Sequence, residues 1–170
     1  MISSACGRWT PQLAVKIRVL TIAGKMPSWV EAGVADYDKR LPRDVKIDWV
    51  SLPLATCRKD RKAEHYLATE AQSILKQIRE DDFVVALDVR GKSCSSEELA
   101  EYWQAWQAHR GDLVILIGGP DGLDQSCLAR ANQRLSLSAL TLPHALVRVV
   151  LAEQLYRAWS LSIGHPYHRA

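Results

Sequence analysis

At 170 residues the chain has the size of one domain, long enough to bury most of the surface its unfolded form exposes. Hydrophobic residues make up 48% of it, which excludes a disordered chain, and no apolar run approaches the length of a membrane span. A formal net charge of +3 permits a polyanionic partner without requiring one; Cys6, Cys57, Cys94 and Cys127 stand singly, which indicates neither a zinc knuckle nor a disulfide scaffold but free thiols in a reducing cytoplasm.

Residues 1 to 14 (MISSACGRWTPQLA) lack the continuous apolar core of a signal peptide. They read as an N-terminal extension, or as an upstream misassigned start, before a single domain over residues 15 to 170. Lys16 to Ala23 is β-branched and apolar and stops at Gly24, the pattern of a buried strand. Ser28 with Glu31 three residues on has the form of a capping box, opening a helix that ends before Pro42. Val45 to Leu52 alternates as a second strand. Ala55 to Lys62 is a loop with Arg58, Lys59, Arg61 and Lys62 among its last five residues, suited to phosphate but equally to plain solvation.

Ala63 to Arg79 has helical periodicity, and Phe83 to Leu87 is the unbroken apolar run of a strand covered on both faces. Asp88 to Lys92 then leaves that strand's carboxyl end. Ser95 or Ser96 starts the next helix with Glu98 in the box position. Its Trp103 and Trp106 are most economically core residues, base stacking being the other use of such rings. Asp112 to Ile117 is a strand leading into Gly118-Gly119-Pro120-Asp121-Gly122, a defined turn whose glycines also allow a close ligand approach. The spacing matches neither a dinucleotide fingerprint nor a P-loop. A helix from Asp124 follows.

Leu135 to Leu140 alternates Leu with small residues as a half-buried strand, Pro143 ends it, and Thr141 is free to cap what comes next. Val147, Val150, Leu151, Leu155, Ala158, Trp159 and Ser162 mark one face of a long helix, on which Glu153 and Arg157 form a favourable i,i+4 pair. Gly164 is a natural helix terminator. The tail His165-Pro166-Tyr167-His168-Arg169 has nothing to offer a core. Strand and helix thus alternate five times, the pattern of an α/β domain with a mainly parallel sheet flanked by helices.

In such folds ligands bind outside the carboxyl ends of strands, here after Leu87, Ile117 and Leu140. His144 and Arg148 begin the last helix, where they could meet a carboxylate or serve as a cap and a core ion pair. His165-x-x-His168 has no accompanying carboxylate or Cys, so no metal site is expected.

Several stretches carry a resemblance: IRVLTIAGKMPSWV, VADYDKRLP, ALDVRGKSCSSEELA, ILIGGPDGL and LSLSALTLPHALVRVVLAEQLYRAWSLSIGHPYH are similar, in order and spacing, to the RlmH-type rRNA methyltransferases of the SPOUT superfamily. The resemblance covers the chain from about Lys16 onward. It implies a C-terminal trefoil knot and S-adenosylmethionine as cosubstrate, lined by Leu87, Gly118, Leu137, Ser138, Ala139, Leu140, Thr141 and Leu142. It implies methylation at N3 of a pseudouridine in helix 69 of 23S rRNA, within the 50S subunit or the 70S ribosome. It also implies a homodimer in which the tail of one subunit completes the pocket of the other. Tyr167, His168 and Arg169 are then the substrate-facing, catalytic candidates, with His168 as proton acceptor because imidazole titrates near neutrality. A non-catalytic ribosome assembly factor on the same fold is the alternative.

Overall fold

The structure, a computed structural model, describes residues 16–55 and 63–169; the side chains of Ala63, His168 and Arg169 lie outside that description. The expected extension (1 to 14), Cys6, Cys57 and the basic cluster Arg58 to Lys62 also fall outside the described residues.

Among the described residues, five strands form one wholly parallel sheet in the order β2-β1-β4-β3-β5. They are β1 (Lys16–Ile22), β2 (Lys46–Leu52), β3 (Phe83–Ser93), β4 (Leu113–Ile117) and β5 (Gln133–Ser136). Between and after them run α1 (Ser28–Asp38), α2 (Ala63–Leu75), α3 (Ser96–Gln107), α4 (Gln125–Arg130) and α5 (His144–Ser162), then a 3-10 turn over Pro166–Arg169. Leu113 to Ile117 is buried at every position because β4 is the middle strand with helices on both faces, which an unbroken apolar run suits. On one face Val19, Val85, Ile115 and Leu135 pack with Trp103, Trp106, Leu151 and Leu155, so α3 and α5 lie there; α1 joins them through Val30, Val34 and Ala152. On the other face Leu20, Val84, Val114 and Leu116 pack with Ala71, Ile74 and Cys127 of α2 and α4. Trp103 and Trp106 are 1% and 4% exposed, and the Trp106 indole donates to Gln133 at 3.1 Å, so both rings serve the core and neither offers a face to a base.

The start of α3 is as its sequence indicates: Ser95 Oγ accepts from the Glu98 amide at 3.1 Å and Glu98 Oε2 accepts from the Ser95 amide at 2.9 Å. Two other caps differ. Pro27 and Pro143 occupy the N-cap positions of α1 and α5, and neither Ser28 nor Thr141 makes a side-chain cap. Ser28 falls inside the helix and Thr141 falls two residues before the N-cap position, so neither hydroxyl sits where a cap must. The last strand also differs: β5 covers Gln133–Ser136, and the Leu/Ser alternation runs on into a loop whose polar groups satisfy one another. The Ser136 hydroxyl donates to the Ser138 carbonyl at 2.9 Å, and the Leu140 amide donates to Ser138 Oγ at 2.9 Å. Conversely β3 does not stop at Leu87. It loses register there and resumes at Lys92, opposite the same Leu135 that pairs with Leu87, so Asp88 to Gly91 bulges outward. No described helix is long and apolar enough to cross a membrane.

Candidate functional site

The corner where β4, β3 and β5 end gathers the residues expected to hold a ligand. Leu87 is in register with Ile117 on one side and Leu135 on the other. Gly118 and the Leu137 to Leu142 loop therefore leave strands adjacent to Leu87, at the roughly 4.8 Å spacing of neighbouring strands. The Gly118 backbone admits no larger residue: a Cβ there would lie 2.4 Å from the Gly122 carbonyl carbon. Gly119 to Gly122 closes as a tight turn, the Gly122 amide donating to the Gly119 carbonyl at 3.0 Å, with Pro120 fixing φ at the second position. The close approach and the defined turn expected of Gly-Gly-Pro-Asp-Gly are thus both present.

The loop after β5 offers apolar surface. Leu137 packs on the core, while Ala139, Leu140 and Thr141 are exposed, Leu140 by 74%. Trp29, Leu54, Val89 and Leu146, the other large exposed apolar side chains among the described residues except Ile163, also stand at the ends of strands or the starts of helices on this edge. An adenine-bearing ligand wants apolar walls and backbone hydrogen-bond groups, so these residues fit one. Ser138 is half-buried and its hydroxyl is used within its own loop.

Arg148 does not face this corner. It is buried, donates to the Ser51 hydroxyl at 3.0 Å, and lies 5.4 Å over the Trp49 ring. With Val30, Glu31, Asp38 and Trp49 it lines a cavity of about 180 Å³ between α1, β2 and α5. Burial pushes its pKa down, against the opposing pull of Glu31, and burial pushes the Asp38 carboxyl up despite the bond it accepts from Trp49 Nε1 at 2.8 Å. His144 is half-buried in the first turn of α5.

The tail is fastened elsewhere. Gly164 adopts φ +70° and turns the chain back, and the His165 amide donates to the Ser160 carbonyl at 2.8 Å. The Tyr167 hydroxyl donates to Glu153 Oε1 at 3.1 Å, its ring meets Tyr156 edge-on at 4.8 Å, and the Arg157 guanidinium covers it at 4.9 Å. Burial, then the Tyr37 hydroxyl and Glu153, push the Tyr167 phenol well above its usual range. Glu153 lies nine residues along α5 from His144, about 13 Å at 1.5 Å per residue. One chain therefore does not bring Tyr167 to the Leu137 to Leu142 loop. The sequence flagged Glu153 only for its pair with Arg157; its bond to Tyr167 and the part played by Tyr37 had no local signal. The side chains of His168 and Arg169 lie outside the described residues.

The family model described as "Predicted SPOUT methyltransferase" matches residues 15–168. A protein of Hahella chejuensis named Ribosomal RNA large subunit methyltransferase H is 48% identical over 155 residues, 91% of this chain and 99% of its own length. One of Saccharophagus degradans with the same name is also 48% identical, over 91% of this chain and all of its own. Among solved structures, a probable methyltransferase of Bordetella pertussis Tohama I superposes with a TM-score of 0.55 at 17% identity, over 86% of this chain and 96% of that one. A probable methylase family protein of Haemophilus influenzae gives 0.52 at 17% identity, over 91% of this chain and 70% of that one. These two likenesses are of fold.

Proposed function

The chain belongs to the SPOUT methyltransferase family, as the match over residues 15–168 shows, and from that premise we propose that it moves a methyl group from S-adenosylmethionine to N3 of the helix 69 pseudouridine in 23S rRNA. The relatives named as large-subunit rRNA methyltransferases, covered almost end to end, support the substrate class. The observation that carries the site is Leu87 in register between Ile117 and Leu135, which sets Gly118 and the Leu137 to Leu142 loop around one corner. The bulge from Asp88 to Gly91, pressed against Leu135, supports the family's knotted crossing at the same place.

When bound, S-adenosylmethionine supplies a methyl group on a sulfonium, already activated without a metal. What this chain's residues must do is hold the acceptor in line at van der Waals contact and take its proton. The N3–H of the base gives its proton up as the N3–C bond forms and the S–C bond breaks. Tyr167 holds its own proton and spends it on Glu153, which favours His168 as acceptor and leaves Arg169 to offset the charge of the nucleotide.

The distance along α5 between tail and loop supports a homodimer with a composite site. The outward stripe of α5 is Leu146, Val150, Glu153, Arg157 and Leu161, apolar toward both ends. Two copies of α5 packed antiparallel about a two-fold near Glu153 set Leu146 of one against Leu161 of the other. The carboxyl-terminal end of each helix then lies beside the loop-bearing end of the other, and Tyr167, held at Glu153, sits at the seam from which His168 and Arg169 continue. Action on ribosomes in the cytoplasm follows from this reading.

The test is mass spectrometry of 23S rRNA in 70S ribosomes from a strain lacking the gene, before and after incubation with the purified protein and S-adenosylmethionine. Gain of one methyl on the helix 69 pseudouridine is expected. No gain, with S-adenosylhomocysteine still bound in calorimetry, overturns the substrate; no binding overturns the enzyme in favour of an assembly factor.

A further inference from the structure

The Glu153 carboxylate is a hub. Its Oε1 accepts from Arg157 Nε at 2.9 Å, Arg157 Nη2 at 2.7 Å and the Tyr167 hydroxyl at 3.1 Å, while Oε2 accepts from Gln154 Nε2 at 2.5 Å. Glu153 and Arg157 are 17% and 22% exposed, so this charge cluster is partly shielded from water and its bonds are stronger than those of a surface pair. Tyr167 is held from two further sides, by the Tyr156 ring and the Arg157 guanidinium. Its amide donates to His165 Nδ1 at 3.2 Å, which fixes the two ends of the Pro166 turn relative to each other.

We infer that Glu153 is a positioning residue for methyl transfer: acting through Tyr167 and Arg157, it latches the tail to α5 and so sets the direction in which His168 and Arg169 leave. The inference rests on the proposed function for the role of those two residues. Tyr167 is the latch pin and not a proton acceptor, because a phenol kept protonated and already donating to a carboxylate has no basic form to offer. The aromatic contacts alone set the ring's place but not its rotation; the hydroxyl's bond to Glu153, beside its contact with Tyr37, adds the directional constraint. The rest of the tail rides on it, since Tyr167 immediately precedes His168.

Tyr167→Phe keeps the ring and removes the hydroxyl, while Glu153→Gln keeps the shape and removes the charge that gathers the donors. Both variants and the double variant are made in the full chain. Two readouts are taken: single-turnover methyl transfer to ribosomes, and release of the last three residues by carboxypeptidase followed by mass spectrometry. Each single variant is expected to lose about tenfold in kcat, the scale of one charge-assisted hydrogen bond, with KM for ribosomes and affinity for S-adenosylhomocysteine within about twofold. The double variant is expected to lose no more than Tyr167→Phe alone, because both changes act on the same Glu153–Tyr167 contact. Carboxypeptidase release is expected to quicken several-fold in all three.

Losses that multiply to about a hundredfold in the double variant overturn the latch, since they show independent roles. So does an unchanged release rate in Glu153→Gln. A large kcat loss in Tyr167→Phe with none in Glu153→Gln assigns the hydroxyl to the chemistry instead and overturns the inference. If the parent protein transfers no methyl group while release still quickens, the proposed function fails and the latch stands.

Discussion

The guanidinium of Arg148 donates to the hydroxyl of Ser51 at 3.0 Å, joining the first turns of α5 to the carboxyl end of β2 across 97 residues of sequence. Arg148 Nε has no hydrogen-bond partner among the described residues, so Ser51 supplies much of what keeps this buried charge satisfied. Ser51→Ala is expected to cost about 1–3 kcal/mol, far more than an exposed serine ordinarily does, because it strips an acceptor from a charged donor. Urea unfolding of the two proteins measures it; a difference below about 0.5 kcal/mol means water replaces the hydroxyl without loss.

Gly118→Ala is expected to abolish binding of S-adenosylhomocysteine. The added carbon would meet the Gly122 carbonyl carbon at 2.4 Å, and backbone cannot yield as a flexible side chain can. The turn must open, at a cost of about 1–3 kcal/mol in stability as well. Calorimetry and thermal melting separate the two effects, and binding equal to the parent's counts against this corner as the cosubstrate site.

Leu140 gives the complementary case. Being 74% exposed, it contributes little to folding, so Leu140→Ser is expected to leave the unfolding midpoint within about 0.5 kcal/mol of the parent. If the cosubstrate covers that side chain, its affinity falls by about tenfold, a fraction of the worth of one buried leucine. Unchanged affinity together with unchanged stability would show that the ligand lies elsewhere.

Val150→Glu, on the outward stripe of α5, places a charge where a second copy is proposed to pack. Sedimentation is expected to give a dimer for the parent and a monomer for the variant, with methyl transfer lost alongside. A dimer that survives the change moves the interface off this helix.

Asp38 sets a pH dependence. Burial raises its folded pKa above the ordinary 3.8, so its contribution to stability is greatest below that value and is lost as pH rises through the folded pKa. Asp38→Asn keeps an acceptor for Trp49 and removes the titration. The variant is expected to be the more stable of the two near about pH 7, with the gap shrinking toward about pH 4. An equal gap at both values assigns the effect to packing.

Much of the framework is local and was readable. Apolar runs such as Leu113 to Ile117 announce buried parallel strands, the Ser95/Glu98 pair announces the start of α3, and Gly164 with φ +70° ends the last helix's turn as a glycine there should. The errors share one cause, the influence of groups distant in sequence. Leu135 to Ser138 alternates, yet only its first two residues find a strand to pair with. Asp88 to Lys92 is polar enough to pass for a loop, yet Lys92 and Ser93 pair with β5 after the bulge. The tail has no core-forming residues, yet Tyr167 lodges against Glu153 and Tyr37, contacts no periodicity encodes.

Because the sheet is wholly parallel and every described α-helix follows a strand, the five α-helices among the described residues begin at the edge where the strands end. Peptide dipoles in each add to roughly half a positive charge at that end. The rim around Leu140 and Val89 thus gains a favourable potential for a polyanion, to which the exposed Arg90 and Lys92 beside Val89 add. Under the proposed function, a rim that meets rRNA can stay apolar and still draw phosphate toward it, which a net charge of only +3 would not suggest.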